Sequence, residues 1–153
     1  MKVKLEYVCE CRASSLRQKD VAGGVGDYPI YGASGNIGTV DFYHQKDPYV
    51  AVVKDGAGIG RVKCLPARSS VIGTMQYLVP RKNILPEYLF YAVKHMHLEK
   101  YSSGATIPHI YFKDYKNEKF NMRNLSEQAE VVYVLNYVSN IIKKHEKQLA
   151  LLD

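Results

Sequence analysis

The sequence predicts an α/β (α+β) fold, in which a β-rich globule with flanking helices is followed by one long C-terminal helix of the coiled-coil-forming type. Valine- and tyrosine-rich runs separated by glycines fill residues 28–79, a pattern typical of short strands and hairpins. An apolar repeat of helical spacing follows Pro86, and the first turn of a helix tolerates proline. Residues 126–153 carry a heptad pattern without proline or glycine, which predicts a helix that pairs with another helix.

The first forty residues predict a short element, a loop and a hairpin. The apolar stretch within residues 2–16 indicates a strand or a helical turn, and three glycines within residues 23–26 indicate a loop. Residues 28–43 place three glycines and a Ser/Asn pair between β-type residues. We therefore predict a hairpin there, with an exposed polar tip formed by Ser34, Gly35 and Asn36.

The middle of the chain predicts a β-rich body that gives way to a helix. Residues 49–53 and 61–65 predict two strands joined by a turn at Asp55-Gly56, and residues 70–79 alternate as a further strand that Pro80 ends. Residues 86–100 predict a helix with one buried face. The remaining segments are predicted to be a loop leading into another strand (101–114) and a connection (115–123).

The C-terminal segment predicts a helix of roughly 28 residues, about 42 Å long. Asn124 or Ser126 can cap its start. Apolar side chains form a heptad seam with His145 in its one gap: Val131, Leu135, Val138, Ile142, Leu149 and Leu152. Such a helix covers its own domain, binds another chain, or does both. Because its first half is apolar nearly all round, we expect it to be buried first and then to project, and we divide the chain into residues 1–124 and 125–153.

Composition and charge place the chain among globular proteins that meet polyanions. No apolar run approaches the ~18 residues of a membrane helix, and no signal peptide is expected. The odd count of three cysteines favours reduced thiols and a cytoplasmic location. The net charge of +6 is uneven, because residues 1–124 carry 18 basic and 11 acidic side chains, whereas residues 125–153 carry a net charge of −1. Basic globular domains often bind nucleic acid.

The sequence offers no catalytic centre, and we predict no metal site and no cofactor. The run Gly56–Gly60 is similar to a nucleotide- or S-adenosylmethionine-binding loop, but such a loop passes from a strand into a helix. Here strand-type residues follow, so we predict a hairpin turn. His95 and His97 are two residues apart, and on a helix they would point about 200° away from each other, which excludes a shared metal ion.

A binding surface is the remaining chemical feature. Four cations lie on or beside the predicted hairpin of residues 49–65, with only Asp55 opposing them: Lys54, Arg61, Lys63 and Arg68. Polar donors on other predicted loops are Ser34, Asn36, Ser103, Thr106 and His109. Cations on phosphates and amide or hydroxyl groups on base edges are what double-stranded DNA recognition uses. The same residues also suit a solvated basic hairpin, and residues 101–109 also suit a structural hinge.

Four motifs, in this order and at this spacing, give the chain a family resemblance. They are YPIYGASGNIG at residues 28–38, VVKDGAGIG at 52–60, EKYSSGATIPHI at 99–110, and NLSEQ at 124–128, which opens the long helix. Nearly the whole chain resembles the DNA specificity subunit of type I restriction–modification systems. The resemblance implies a target recognition domain that reads half of a split site, followed by a spacer helix.

The resemblance also implies how such a chain would work. The family's subunits are non-catalytic and deliver methyltransferase subunits, and through them a restriction subunit, to the DNA. They typically carry two recognition domains and two antiparallel spacer helices, whereas this chain has one of each. We therefore expect a homodimer through the heptad seam that reads a palindromic, interrupted site. Three alternatives stay open: a small or truncated S-adenosylmethionine-dependent DNA methyltransferase, a recognition domain derived from a fused restriction–methylation enzyme, and a generic dimeric scaffold.

Overall fold

The computed structural model describes residues 1–152, and Asp153 lies outside the described residues. It confirms the predicted α+β class, with a β-rich globule and one long C-terminal helix. The strands are β1 (Lys2–Lys4), β2 (Cys9–Ala13), β3 (Tyr28–Gly32), β4 (Gly35–Val40), β5 (Tyr49–Val53), β6 (Val62–Leu65), β7 (Ser70–Val71), β8 (Met75–Pro80) and β9 (Lys119–Asn121). The helices are α1 (Gln18–Val21), α2 (Pro86–His95), α3 (Phe112–Tyr115) and α4 (Leu125–Ala150).

A four-stranded antiparallel sheet in the order β2-β8-β5-β6 forms the centre of the globule. All five residues of β5 are buried, because both faces of this strand are covered. Val50, Val52 and Leu78 face a core that includes Leu89 and Val93 of α2. The alternate residues on β5 and β8 face a second core on the other side of the sheet: Tyr49, Ala51, Val53, Met75 and Tyr77.

A smaller sheet in the order β4-β3-β7 packs beside the central one. β3 and β4 form the antiparallel hairpin that the sequence predicts, and β3 pairs in parallel with β7. The tip differs slightly from the prediction. Ala33 and Ser34 form the connection, whereas Gly35 and Asn36 already belong to β4.

Three predicted elements differ from the structure. The strand at 70–79 is broken by a turn at 72–74, because β7 pairs with β3 of the small sheet while β8 belongs to the central sheet. The helix at 86–100 ends at His95, since His97 adopts a left-handed conformation (φ 53°) before a 3-10 turn over Leu98–Tyr101. Residues 101–114 lead into α3 instead of a strand, and the next strand is β9, which pairs with β1.

Helix α4 contacts the globule through its first half, from Gln128 to Asn136. The Asn124 side chain accepts a hydrogen bond from the Glu127 backbone N–H at 2.8 Å, which confirms Asn124 as the cap. Gln128 is buried, and Val131 and Val132 are half-buried against the main core. Most of the later residues are exposed, so the helix projects from the globule. Among residues 1–152, no helix is both long and apolar enough to cross a membrane.

Candidate nucleic-acid interface

One end of the globule gathers several loops, which we call the loop end: residues 33–36, 54–61, 72–74 and 103–109. Strand directions explain the gathering. Val53, the last residue of β5, pairs with Met75, the first residue of β8, so the segments beyond them meet. β3 runs parallel to β7, so the β3–β4 tip lies at the same end as residues 72–74. The predicted polar tip and the predicted basic hairpin therefore share one end of the molecule.

Backbone hydrogen bonds join these loops into one surface. The N–H groups of Lys54 and Asp55 donate to the Thr74 carbonyl at 2.9 and 3.3 Å. The Gly56 N–H donates to the Pro108 carbonyl at 3.0 Å, and the Ile110 N–H donates to the Lys54 carbonyl at 2.9 Å. The loop of residues 103–109 is thus held against the β5–β6 turn, although the two are about fifty residues apart in sequence.

Asp55 is the side chain that connects the two loops. Its Oδ1 lies 2.5 Å from His109 Nδ1, and its Oδ2 lies 2.5 Å from Lys54 Nζ. Partial burial works to raise the pKa of Asp55, but the hydrogen bonds from Lys54 and His109 outweigh it and lower the pKa below its ordinary value. Asp55 is therefore a carboxylate at neutral pH. In the sequence it stood out only as an opposing charge, because its partner His109 is 54 positions away.

The His109 ring belongs to a small aromatic and cationic stack. Its backbone pairs with that of Ser103 through hydrogen bonds of 2.7 and 2.9 Å, which close the loop. The ring lies parallel to Tyr111, with centroids 6.3 Å apart and planes at 28°. Lys113 Nζ lies 5.4 Å from the Tyr111 ring centroid, within cation–π range. Sequence reasoning missed Tyr111 and Lys113. The signal that could have indicated them is their alternation with His109 along the chain.

The remaining predicted cations are spread over a wider area. The Arg61 side chain lies against Gly58 in the loop end. Lys63 lies on the edge strand β6, where it pairs with Ala51 of β5. Arg68 lies three residues beyond Leu65, whose partner Tyr49 begins β5, so Arg68 is at the opposite end of the sheet. Within residues 1–152, Arg61, Lys63 and Arg68 form no salt bridge.

The predicted polar residues are mostly available at the loop end. Ser34 is exposed at the β3–β4 tip, and Ser103 and Thr106 are exposed on the loop that His109 closes. The Asn36 Oδ1 accepts a hydrogen bond from the Gly38 N–H at 2.8 Å, which holds the side chain and leaves its amide nitrogen to donate to a ligand. The structure therefore brings Ser34, Asn36, Lys54, Arg61, Ser103, Thr106 and His109 to one end, with Lys63 beside them and Arg68 apart.

The glycine run at Gly56–Gly60 is a hairpin turn, as the sequence predicts. It joins β5 to β6, and these two strands pair antiparallel. No helix follows the run, because β6 begins at Val62. A Cβ on Gly60 would lie 2.7 Å from the Glu99 backbone nitrogen. Glycine at this position therefore permits a close approach between this hairpin turn and the 3-10 turn over Leu98–Tyr101.

The prediction that His95 and His97 point apart is wrong, because the helix ends between them. The left-handed backbone of His97 brings the two ring centroids to 6.1 Å from each other. Among residues 1–152, however, no group of three or more His, Cys, Asp or Glu side chains is arranged to hold a metal ion. The two rings instead line the surface around the last turn of α2.

The heptad seam of α4 is accessible along most of its length. Val131 packs on the globule, whereas Leu135, Ile142 and Leu149 are 37%, 52% and 64% exposed. Val138 and His145 are also exposed, and Leu152 lies in a turn beyond the helix. A second apolar row, which we call the outer stripe, is exposed on another side of the helix: Tyr133, Val134, Tyr137 and Ile141.

An open groove separates α4 from α2. The Tyr91 hydroxyl donates to Asn136 Oδ1 at 2.6 Å and bridges the two helices. Farther along, the seam residues Leu135, Val138 and Ile142 form one wall, and the end of α2 forms the other. The groove has a volume of about 610 Å³. The seam residues Leu135, Val138 and Ile142 therefore face an open groove beside α2.

Comparison with known proteins decides the family. Residues 1–152 match the profile described as the type I restriction modification DNA specificity domain. The chain belongs to this family. It is 28% identical over 107 residues to the type I restriction enzyme MjaVIII specificity subunit of Methanocaldococcus jannaschii, an alignment that covers 68% of this chain and 25% of that protein.

Solved structures show the same fold for this member of the specificity-domain family. The S subunit of a type I restriction–modification system from M. genitalium superposes with a TM-score of 0.75 at 18% identity, over 94% of this chain and 40% of that one. A chain from a structure on complex assembly and conformational transition of the type I R-M system gives a TM-score of 0.75 at 16% identity, over 98% and 40%. This chain thus spans a quarter of the curated relative and about two fifths of each solved chain.

Proposed function

We propose that the chain is half of a type I DNA specificity subunit. Residues 1–124 would form a target recognition domain that reads one half of a split double-stranded DNA site. Residues 125–153 would form the spacer and dimerisation helix. The observation that carries this proposal is the loop end, where donors and cations from three separate segments meet on a scaffold of the specificity-domain family. Segments that are far apart in sequence but converge on one exposed surface suit recognition better than packing.

The loop end has the chemistry for DNA. Arg61 and Lys63 make no salt bridge within the described residues and are available for phosphates. Ser34, Asn36, Ser103, Thr106 and His109 supply hydrogen-bonding groups for base edges or the sugar–phosphate backbone. Lys54 shares its charge with Asp55, so we assign it mainly to holding the loop. Arg68 would reach only a more distant part of the duplex.

The proposed dimer follows from the exposed seam of α4. The 26 residues of the helix span about 39 Å, or roughly 11 base pairs at ~3.4 Å each. Two copies paired antiparallel through Val131–Leu152 would bury the seam, including His145, and would hold two recognition domains on one face of DNA. The twofold axis would make the recognised site palindromic and interrupted.

The proposed role is delivery without catalysis. The outer stripe of α4 stays exposed after the seam is paired, and we assign it to the methyltransferase subunits, which in turn bring the restriction subunit. The chain itself would hold no cofactor, carry out no reaction and act in the cytoplasm. Methyltransferase chemistry has no positive support, because Gly56–Gly60 connects two strands of a sheet.

Selection of binding sites from random duplex DNA tests this proposal. The intact protein should enrich two copies of one half-site in inverted orientation at a fixed separation. The matched control is the seam variant, in which Leu135 and Ile142 are both changed to Asp, and it should enrich single half-sites only. Enrichment of no sequence, with equal retention of all duplexes, would contradict sequence-specific recognition and favour a generic scaffold.

A further inference from the structure

Gln128 is the one fully buried residue of α4, and its side chain joins three segments. Its Oε1 accepts a hydrogen bond from the Leu85 N–H at 2.8 Å. Its Nε2 donates to the carbonyls of Asn83 and Arg123 at 2.9 and 2.8 Å. Leu85 and Asn83 belong to the connection between β8 and α2, and Arg123 lies just after β9. One amide thus uses its acceptor and both donors on backbone groups of the globule.

A buried amide with satisfied hydrogen bonds is usually only part of the packing. Gln128 is unusual because the rest of the helix touches the globule at few other points. The next contacts of α4 with the globule are half-buried Val131 and Val132, and then the exposed hydrogen bond between Tyr91 and Asn136. Beyond that bond α4 has no buried residue. The direction of the whole helix relative to the globule therefore depends on a short contact region, which we call the mount: Gln128, Val131, Val132 and Asn136. Gln128 is its one fully buried residue.

The mount and the loop end lie at opposite ends of the central sheet. β8 runs from Met75 at the loop end to Pro80, and the Gln128 partners Asn83 and Leu85 come shortly after it. Six residues of extended strand span about 20 Å. A tilt of the globule by about 10° about the mount would move the loop end by about 3.4 Å, which is the rise of one base pair. Reading two half-sites at one separation thus requires a mount that holds the angle within a few degrees.

We propose that the Gln128 amide is a positioning residue that fixes the angle between the recognition globule and the spacer helix, and thereby the number of base pairs between the two half-sites. The inference rests on the proposed function, since a separation between half-sites exists only for a DNA-bound dimer. It assigns to Gln128 no contact with DNA and no role in choosing the bases of a half-site.

Two substitutions of Gln128 test whether it sets the angle between the globule and α4 without being required for folding. Gln128→Leu keeps a similar volume but leaves the Leu85 N–H and two carbonyls without partners, so the local backbone must shift to reach water. Gln128→Glu keeps the acceptor for Leu85 but sets a carboxylate oxygen against the carbonyls of Asn83 and Arg123. If the leucine variant does not fold, as judged by circular dichroism, the glutamate variant carries the test. Asn140→Leu is the matched control, because Asn140 is an exposed amide on the same helix.

The first measurement concerns the angle and needs no DNA. Nitroxide labels are placed on the exposed Cys64 of β6 and on Lys147→Cys near the end of α4, in the seam variant so that only distances within one chain count. Pulsed electron spin resonance should show a distance distribution at least about twice as wide for the Gln128 variants as for the Asn140→Leu control, because rigid-body tilt becomes possible. Equal widths would overturn the inference, whatever the protein binds.

The second measurement concerns half-site separation. Site selection with the dimeric protein should give the same half-site sequence for wild type and Gln128 variants. The enrichment of the preferred separation over those one base pair longer or shorter should fall roughly fivefold or more in the variants. An unchanged preference would overturn the inference while leaving the proposed function intact. Failure of the wild type to select any paired site would instead remove the proposed function, and the distance measurement alone would then decide the role of Gln128.

Discussion

The globule buries most of its apolar residues, whereas helix α4 leaves most of its own exposed to solvent. In the globule, β5 and β8 direct alternate side chains into two closed cores, and residues such as Val52 and Leu89 are completely buried. In α4, the apolar side chains of the seam and of the outer stripe remain in contact with solvent. The difference teaches that the globule buries its apolar residues within closed cores, to which only the start of α4 contributes. Among the described residues, the rest of α4 carries apolar surface that stays uncovered, which is typical of association sites.

The largest effect is expected from the seam variant, on the dissociation constant of the dimer. Changing Leu135 and Ile142 to Asp places two charges in the middle of the proposed helix pair, and burying unpaired charge is costly. We expect the dissociation constant of the dimer to rise at least about 100-fold, while the globule stays folded. Light scattering gives the mass, and circular dichroism gives the fold.

The control for the seam variant is a double change of Asn140 and Lys144 to Asp, on exposed positions outside the seam. This control should leave the mass of the dimer unchanged. A wild-type protein that remains monomeric at tens of micromolar, about the range of weak complexes, would contradict the homodimer. Helix α4 would then either cover its own globule or pair with a different chain.

The second largest expected effect is the difference in the free energy of unfolding lost when a core leucine or a leucine of α4 is truncated. Leu89 is completely buried between α2 and the central sheet, so Leu89→Ala should lower the free energy of unfolding by about 2–5 kcal/mol. The same change at Leu149, which is 64% exposed, should alter it by less than about 0.5 kcal/mol in the monomeric seam variant. Urea unfolding measures both. A large loss from Leu149→Ala would mean that α4 packs on its own globule in solution.

The β3–β4 hairpin, strands β5 and β6, and helix α4 could be predicted because local pattern specifies them. Valine alternation, glycine punctuation and the Asn124 cap are all readable within a few residues. The end of α2 at His95 could not be predicted, since it depends on the left-handed backbone of His97. The replacement of a predicted strand by α3 also depends on tertiary packing. Phe112 and Tyr115 are three residues apart and both reach the main core, which a strand would not allow.

The candidate site was only partly predictable for a related reason. Single loops were recognisable by their Ser, Thr, Asn and cationic residues, and seven of nine predicted DNA-binding residues meet at the loop end. The register that brings them together was not readable from any one segment. Asp55 looked like a stray opposing charge until His109, 54 residues later, was seen to hold it. Arg61 and Arg68 looked equivalent in sequence, yet the antiparallel return of β6 places them at opposite ends of the sheet.

A change at Asp55 should affect recognition without affecting the helix. Asp55→Asn removes the charge that holds Lys54 and His109, so the loop of residues 103–109 loses its fixed position. Affinity for random duplexes should rise slightly, because one negative charge is lost at the surface. Discrimination between the selected site and a single mismatch should fall roughly tenfold. Fluorescence anisotropy with both duplexes measures this, and light scattering should show an unchanged dimer.

The pH dependence of the same contact has a defined sign. Hydrogen bonds from Lys54 and His109 lower the pKa of Asp55 in the folded state, so its stabilising contribution is complete at neutral pH. That contribution is lost as the pH falls through the lowered pKa, below the ordinary value of about 3.9. Wild-type thermal stability should therefore decline more steeply than that of Asp55→Asn between pH 5 and the acid limit, roughly pH 2, of the folded state. Parallel curves would show that the carboxylate does not hold the loop in solution.

The smallest expected effect compares the two arginines that the sequence could not tell apart. Arg61 lies in the loop end and Arg68 at the opposite end of the sheet. If the loop end faces the duplex, Arg61→Ala should weaken binding to all sequences several-fold and reduce the slope of log affinity against log salt by about 1. Arg68→Ala should change the slope by less than half as much, because its contact is distant or absent. A salt titration of binding for both variants makes the comparison, with Lys144→Ala on the exposed face of α4 as the charge-matched control. A larger slope change for Arg68 than for Arg61 would place the DNA on the other end of the globule, since each phosphate contact releases its own counterions and the slope counts them directly.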